Sequence, residues 1–190
     1  MDRRNDVLDF LLTRRSRPAK LLSAPAPSAE DLREILTAAA RTPDHGKLEP
    51  WRFIVLEEPA LQRLSGLVVD LSEARGMGED DYAKQRDMYA RGPLAVAVIA
   101  SPKASKIPEI EQLYSAGAAC LALLNAALAA GWGANWLSGW ASHDPEFLSK
   151  GLGLETHEKV AGLIFIGSTE VTPPERPRPD LDAITSWVTE

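Results

Sequence analysis

The sequence has one cysteine, Cys120, and three histidines that lie far apart in a chain of 190 residues. One cysteine cannot form an intrachain disulfide, so a reducing compartment is permitted. Its apolar neighbourhood, from Ser115 to Gly131, predicts a role in core packing. Scattered histidines and a lone cysteine do not supply the paired ligands that zinc and iron sites use. The sequence therefore argues against a metal site.

Several catalytic motifs are also missing. The chain has no Gly-x-Ser-x-Gly elbow of a serine hydrolase and no Gly-x-x-x-x-Gly-Lys phosphate loop. Gly131 and Gly133 resemble the start of a dinucleotide fingerprint, but Trp136 occupies the place of the third glycine and the pair follows a predicted helix. No acid, base or nucleophile stands in a catalytic pattern. These absences predict chemistry that is carried by a cofactor.

Long apolar runs and an excess of positive charge are lacking too. No run reaches the roughly 18 to 20 purely apolar residues of a membrane span, and the charged N-terminus is unlike a secretion signal. The formal net charge is -6, which argues against non-specific binding of nucleic acid. With 45% hydrophobic residues, the chain suits one core. We expect a cytoplasmic protein with a single domain over residues 1–190.

Helical and strand patterns alternate irregularly along the chain. Apolar spacing predicts helices near residues 5–14, 28–42, 59–68, 108–130 and from 144, and aliphatic or aromatic runs predict strands at residues 51–56, 93–100, 133–137 and 160–166. The charged segment 76–91 has weak helical character and is either a solvated face or a mobile flap. We expect an α+β layered domain with four or five strands surrounded by helices, and a C-terminal arm over residues 172–190.

The predicted helix at residues 108–130 is small or apolar on every side over its second half. Such a helix is expected to be buried all round. Packing inside one subunit explains this composition. A homodimer interface explains it nearly as well, because small residues let a second helix approach closely.

Two arginines beside a hydroxyl are the clearest candidate binding residues. Arg14, Arg15 and Ser16 follow the first predicted helix. Guanidinium groups can hold a phosphate through charge-assisted, often bidentate hydrogen bonds. The alternative is that the arginines complement the negative end of the helix. A phosphorylated cofactor is the first hypothesis, and FMN fits it because its ring needs apolar or aromatic walls.

Four segments together resemble the compact nitroreductase family, and in particular its short bacterial branch of NAD(P)H nitroreductases. They are Arg14 to Ser16, the polar loop from Arg41 to Phe53, residues 106–117 and residues 133–139, in the family's order and spacing. The resemblance covers about residues 6 to 168. It implies a nitroreductase-like layered fold with a mainly antiparallel sheet. It also implies an FMN-dependent homodimer with active sites at the subunit interface.

The resemblance implies roles for the two arginine-containing segments. Arg14, Arg15 and Ser16 match the family's contacts to the phosphate, the ribityl chain and the ring edge of the flavin. Arg41 and His45 match positions that approach the flavin from the partner subunit. Without the resemblance, His45 is an ordinary loop histidine.

A third segment is implied to line the flavin. Trp136, Leu137, Ser138 and Gly139 match the family's strand-to-turn segment there. A backbone N–H near Ser138 or Gly139 would face the flavin N5 atom, which gives and takes hydride. The alternative is that Ser138 and Gly139 only form a turn and have no role in binding.

The sequence also departs from the family pattern. Pro18 stands where many relatives carry a basic residue near the pyrimidine side of the flavin. Glu49 replaces a common glutamine. A basic residue near the C-terminus assists phosphate binding in many relatives, and Arg176 or Arg178 could serve here.

We expect an oxidoreductase in which NADH or NADPH reduces the flavin and leaves before a nitroaromatic or quinone-like acceptor is reduced in the same cleft. No residue is assigned as a catalytic acid or base. One alternative is an enzyme on the same scaffold that fragments flavin or removes a halogen reductively. Another is a flavin-binding module without turnover.

Overall fold

The fold is built around one antiparallel sheet with helices on both faces, as seen in a computed structural model that describes residues 3–190. The strands have the spatial order β1-β2-β4-β3, and every neighbouring pair is antiparallel. They are β1 (Trp51–Glu57), β2 (Leu94–Ala100), β3 (Gly133–Leu137) and β4 (Lys159–Gly167). The α+β layered fold with a four-stranded sheet is confirmed.

Helices account for most of the remaining regular structure of residues 3–190. They are α1 (Asn5–Thr13), α2 (Ala29–Ala39), α3 (Glu58–Ala74), α4 (Glu79–Ala90), α5 (Glu109–Ala129), α6 (Pro145–Phe147) and α7 (Leu181–Ile184). A π-helical turn over Leu148–Leu152 continues α6, and Ala19–Leu21, His45–Lys47 and Trp140–Ser142 form 3₁₀ turns.

Strand β2 lies at the centre of two hydrophobic cores. Every residue of β2 is buried, as expected for an aliphatic strand that is covered on both faces. Ala95, Ala97 and Ile99 pack in the core with residues of α3 and α4. Val96 and Val98 point the other way and pack with α2 and α5. The molecule therefore has three layers, with the sheet in the middle.

Helix α2 begins with a capping box. The Ser28 hydroxyl accepts a hydrogen bond from the Asp31 N–H at 3.1 Å, and the Asp31 carboxylate accepts one from the Ser28 N–H at 3.2 Å. These bonds satisfy two N–H groups that the first turn of the helix leaves free. Leu32 and Ile35 then face the core.

Helix α5 is a core helix with one exposed face. Ala119, Cys120 and Leu123 are fully buried, and burial raises the pKa of the Cys120 thiol to about 12. In its second half Leu121 is 47% exposed and Ala118 is also exposed, so the expectation of burial on every side is wrong within one chain. By length and composition α5 could cross a membrane. Its packing against the sheet and α2 is that of a core helix.

The charged segment 76–91 is a regular helix that is docked on α3. Tyr82, Gln85 and Tyr89 recur at helical spacing and are buried. The Ser65 hydroxyl of α3 donates a hydrogen bond to the Arg86 carbonyl at 3.1 Å. A purely solvated face is therefore the wrong interpretation. Mobility of this helix stays a prediction.

The C-terminal segment, residues 172–190, lies largely exposed and contains α7. The Arg178 guanidinium donates a hydrogen bond to the Leu12 carbonyl at 2.6 Å, and the Arg15 guanidinium donates one to the Pro174 carbonyl. The segment therefore contacts the end of α1 without joining either core.

One ion pair joins β1 to the turn that precedes β4. Arg52 donates two hydrogen bonds of 2.7 Å to the two carboxylate oxygens of Glu158, which is buried. The Glu158 carboxylate also accepts the Glu155 N–H at 3.1 Å. The bonds from Arg52 lower the pKa of Glu158 from 4.5 to about 2, against the opposing effect of burial.

We predict that this pair makes folding stability depend on pH. The unfolded chain protonates Glu158 near pH 4.5, whereas the folded chain keeps it ionised down to about pH 2. The stabilisation is thus present above pH 4.5 and is lost as the pH falls through about 2. Glu158→Gln is expected to flatten this part of the profile and to lower the free energy of unfolding at pH 7 by about 1 to 3 kcal/mol.

Urea unfolding between pH 2 and pH 7 measures both effects. Glu109→Gln is the control, because the Glu109 pair with Lys159 at 3.3 Å is exposed and is expected to contribute about 0 to 1 kcal/mol. A Glu158→Gln profile that parallels the unmodified protein over this pH range would contradict the assignment.

Candidate active site

Three arginines converge on a cavity of about 430 Å³ at the start of β3. Helix α1 ends at Thr13, and Arg14 leaves it in an extended conformation with φ -57° and ψ 141°. Arg14, Arg15 and Arg17 then line the cavity together with Gly133. We call this cavity the guanidinium pocket.

Arg14 has the electrostatic surroundings of an anion-binding group. One of its terminal nitrogens lies 3.1 Å from the Ser16 hydroxyl oxygen, and its Nε atom is buried without a hydrogen-bond partner among the described residues. Burial lowers the pKa of Arg14, and repulsion by Arg15 and Arg178 lowers it further. A bound anion would satisfy the free N–H and offset this repulsion.

The helix-end alternative for these arginines receives less support. Arg178, from the C-terminal segment, donates to the Leu12 carbonyl in the last turn of α1. Arg15 instead lies 3.8 Å from the Glu175 carboxylate. Within residues 3–190, neither the Arg14 nor the Arg15 side chain bonds a carbonyl of α1, so both are directed at the pocket and its rim.

A second cavity, of about 510 Å³, lies where β3 ends. Leu137, Ser138 and Gly139 form one wall, and α4 forms the opposite wall. We call it the α4 cavity. Its lining is completed by Ala19, Lys20, Asp81, Lys84, Gln85, Asp87, Met88, Arg91 and Trp140.

A buried amide lies against the backbone of this wall. The Gln85 side-chain oxygen is so close to Gly139 that a Cβ atom on Gly139 would collide with it. Gln85 is only 7% exposed, and its Nε2 atom has just the Met88 sulfur, at 3.8 Å, as a partner. Because Gly139 has no side chain, only its backbone lines the α4 cavity.

Two tryptophans near this wall have different surroundings. Trp140 lines the α4 cavity, and its ring meets Phe147 edge-on at 6.3 Å between centroids. Trp136 lies on β3 with its indole against Gly162 of β4, and it lines neither cavity. Trp136 is thus the member of the predicted Trp136 to Gly139 segment that lies outside the two cavities.

The two cavities are connected by a stretch of chain that follows the edge of the sheet. The Arg17 N–H donates to the Ala134 carbonyl at 2.8 Å, and the Asn135 side chain donates to the Arg17 carbonyl at 2.7 Å. Gly133 lines one cavity and Leu137 the other. Five strand residues span roughly 13 Å, so the two cavities lie about that distance apart along β3.

Arg41 and His45 lie elsewhere in the chain. Arg41 is exposed just after α2, and the His45 Nδ1 atom lies 2.7 Å from a Glu111 carboxylate oxygen at the start of α5. Neither residue lines the guanidinium pocket or the α4 cavity. A single chain therefore does not bring these two residues together with the others.

Sequence reasoning missed three residues that the structure adds. Arg17 joins the guanidinium pocket, and Lys20 and Gln85 line the α4 cavity. A signal for Gln85 was present, since Tyr82, Gln85 and Tyr89 share one helical face. No local pattern indicates that Lys20 lies beside β3.

The chemistry that these groups offer is binding. Among residues 3–190, no three His, Cys, Asp or Glu side chains are grouped as metal ligands. Cys120 is buried away from both cavities. The guanidinium pocket holds three arginines, and the α4 cavity combines apolar and amide groups with three cations and two carboxylates, an arrangement that suits a bound redox cofactor.

Comparison with known proteins supports this interpretation. The family model described as "Nitroreductase family" matches residues 11–168. A Haemophilus influenzae protein named "Putative NAD(P)H nitroreductase" is 39% identical over 166 residues, which are 86% of this chain and 88% of that protein.

Solved structures show the same fold. A nitroreductase-like family protein from Bacillus cereus superposes with a TM-score of 0.82 at 21% identity, over 99% of this chain and 98% of the other. A structure from Desulfovibrio desulfuricans, solved in complex with FMN, has a TM-score of 0.74 at 20% identity and full coverage of both chains. The family model and the H. influenzae relative confirm the resemblance that the sequence motifs carry, and the chain belongs to the nitroreductase family.

Proposed function

We propose that the protein is an FMN-dependent oxidoreductase that passes electrons from NADH or NADPH to nitroaromatic or quinone-like acceptors. The observation that carries the proposal is the placement of the guanidinium pocket at one end of β3 and the α4 cavity at the other. The name of the H. influenzae relative and the FMN complex of the D. desulfuricans structure support it. We place the enzyme in the cytoplasm, which contains reduced nicotinamides and is compatible with a single free thiol.

The residues present fit FMN at both ends. A phosphate monoester carries up to two negative charges and three acceptor oxygens, and Arg14, Arg15 and Ser16 offer matching donors. A flavin ring is flat and largely apolar, and Leu137, Met88 and Trp140 provide apolar surface in the α4 cavity. When bound, FMN supplies two-electron transfer between a nicotinamide and a second small molecule.

In this proposal the side chains and backbone of the protein bind FMN and orient it. Arg14 and Arg15 hold the phosphate, and the Ser16 hydroxyl adds a hydrogen bond. The backbone of Ser138 and Gly139 faces the α4 cavity, where an N–H can be directed at the reactive edge of the ring. One open cleft receives the nicotinamide and then the acceptor, so the two substrates bind in turn.

We further propose that the active unit is a homodimer in which Arg41 and His45 complete the partner's site. Their separation from both cavities in one chain supports this arrangement. The apolar residues Val7, Leu8, Leu11 and Leu12 of α1 are exposed in the single chain. So is Trp187 near the end of the C-terminal segment, at 89%. Exposed apolar surface of this extent indicates a protein contact.

The function is tested by spectra of the purified protein with FMN. The protein is expected to bind FMN with a yellow colour that bleaches when NADH or NADPH is added without oxygen. Colour is expected to return when a nitroaromatic or a quinone is added. Recovery of intact FMN after turnover separates this activity from flavin fragmentation, and colour that neither nicotinamide bleaches would indicate a module without turnover.

The proposed contacts of Arg14 and Arg15 to FMN are tested by variants in the same assay. Arg14→Ala and Arg15→Ala are each expected to weaken FMN binding about 10- to 100-fold, since each removes charge-assisted hydrogen bonds of about 1.5 to 3 kcal/mol. Arg33→Ala is the control, because Arg33 lies on the exposed side of α2 and lines neither cavity. Equal FMN affinity in all four proteins would contradict the proposed grip.

The dimer is tested by size-exclusion chromatography with light scattering. We expect a mass of about twice the 20.7 kDa of one chain. Replacing Leu8 and Leu12 together by Glu places charges on the exposed face of α1 and is expected to shift the protein towards monomer. Ala38→Glu, at an exposed position of α2, is the control. A unit of 20.7 kDa at all concentrations would exclude a shared site.

A further inference from the structure

The α4 cavity contains a buried amide that lacks a strong hydrogen-bond partner. Gln85 is 7% exposed and lines the cavity beside Gly139. Within residues 3–190 its side chain makes one hydrogen bond, from Nε2 to the Met88 sulfur at 3.8 Å, and a thioether is a weak acceptor. A buried polar group without a good partner costs free energy of folding. Packing alone therefore does not explain a glutamine at this position.

A second buried glutamine shows how a purely structural amide is held in this chain. Gln112 is 4% exposed, its side-chain oxygen accepts the Lys103 N–H at 2.8 Å, and its Nε2 atom donates to the Lys103 carbonyl at 3.0 Å. Both ends of this amide are fixed by backbone groups. Neither end of the Gln85 amide has a backbone partner among the described residues. A half-turn about its terminal torsion, which is broad and roughly two-fold in glutamine, exchanges the oxygen and the NH₂ group and gives up only the sulfur contact.

The Gln85 amide lies beside the backbone that is proposed to meet the reactive edge of the flavin ring. Its oxygen lies against Gly139, and the Ser138 and Gly139 backbone lines the same cavity. A backbone N–H is a donor in every state of the protein. A glutamine amide has a donor at one end and an acceptor at the other, so Gln85 can change the sense of a hydrogen bond that it makes there.

The reactive nitrogen of a flavin changes from acceptor to donor on reduction. In the balanced step a C–H bond of NADH or NADPH breaks, and the hydride forms an N–H bond on the ring with its two electrons and its proton. Before this step the nitrogen has a lone pair that accepts a hydrogen bond. Afterwards it carries a hydrogen, which a backbone N–H cannot accept and a side-chain carbonyl can.

We propose that Gln85 is a reversible hydrogen-bond partner of the reactive edge of the flavin, with its NH₂ group directed at the oxidised ring and its oxygen at the reduced ring. This inference rests on the proposed function. The bond to the Gln85 oxygen stabilises reduced FMN and raises the reduction potential of the bound cofactor. Gln85 takes no part in the covalent bonds that form and break.

The first test compares Gln85→Met with the matched control Gln62→Met. Gln62 is exposed on α3, donates to the Ala90 carbonyl at 2.8 Å and lines neither cavity. In Gln85→Met the oxidised ring keeps the backbone N–H as a donor, but the reduced ring loses its acceptor. Reduced FMN is expected to bind about tenfold more weakly relative to oxidised FMN, which lowers the midpoint potential of a two-electron couple by about 30 mV. Gln62→Met is expected to match the unmodified protein.

The midpoint potential, measured by equilibration with a reference dye, separates this role from a structural one. Loosening of α4 weakens binding of both forms of FMN alike and leaves the potential unchanged. An unchanged potential in Gln85→Met and in the second variant Gln85→Leu overturns the inference. So does an equal drop in Gln62→Met.

A second test needs no substitution. The chain has three glutamines, Gln62, Gln85 and Gln112, and isotope labelling of glutamine identifies their side-chain carbonyl bands in the infrared difference between reduced and oxidised protein. An amide carbonyl stretch falls in frequency when its oxygen accepts a hydrogen bond. One band is expected to fall on reduction with NADH or NADPH, to disappear in Gln85→Met and to persist in Gln62→Met.

Absence of a glutamine band, or a band that rises on reduction, also overturns the inference. If FMN binds and NADH or NADPH bleaches it, such a result leaves the proposed function intact. If the unmodified protein binds no FMN, both fail.

Discussion

The hydrogen bonds between Arg17 and β3 hold the candidate site together. β3 lies at the edge of the sheet, and an uncovered edge exposes unpaired N–H and C=O groups. The chain after α1 covers part of this edge through the Ala134 carbonyl and the Asn135 side chain. Because Arg14 precedes this contact and Lys20 follows it, the same bonds place one residue at each end of β3. Protection of an edge strand and construction of a binding surface are thus one arrangement.

The wall opposite β3 depends on the packing of aromatic side chains. Tyr89 of α4 lies 5.5 Å from Phe147 between ring centroids, and Phe147 also contacts Trp140. These three residues join α4, the end of α6 and the segment after Gly139. The position of α4 relative to Gly139 is therefore set by the core. This explains how a helix with many charged residues can form a defined cavity wall.

Local patterns predicted the four strands and the helices near residues 5–14, 28–42 and 108–130, because these features depend on local spacing and apolar content. The sequence pattern gave α4 only weak helical character, because its many charged residues obscure the buried face that Tyr82, Gln85 and Tyr89 form. The motifs around Arg14 and Gly139 indicated that both segments belong to the candidate site. The distance between these two segments along β3, the position of Lys20 beside β3 and the position of Trp136 against Gly162 depend on long-range pairing, which single-sequence patterns do not contain. The predicted roles of Arg41 and His45 involve a second chain and stay predictions.

The Glu175 carboxylate, 3.8 Å from Arg15, gives the guanidinium pocket a resident counter-ion on its rim. An incoming anion has to compete with this tethered carboxylate and with the Pro174 carbonyl. When an anion binds, Arg15 gives up part of its interaction with Glu175 in exchange for the anion. The net free energy of binding is therefore smaller than the number of arginines indicates. The same tether keeps adjacent like charges tolerable in the empty protein. Cofactor release thus need not leave a bare cluster of positive charge.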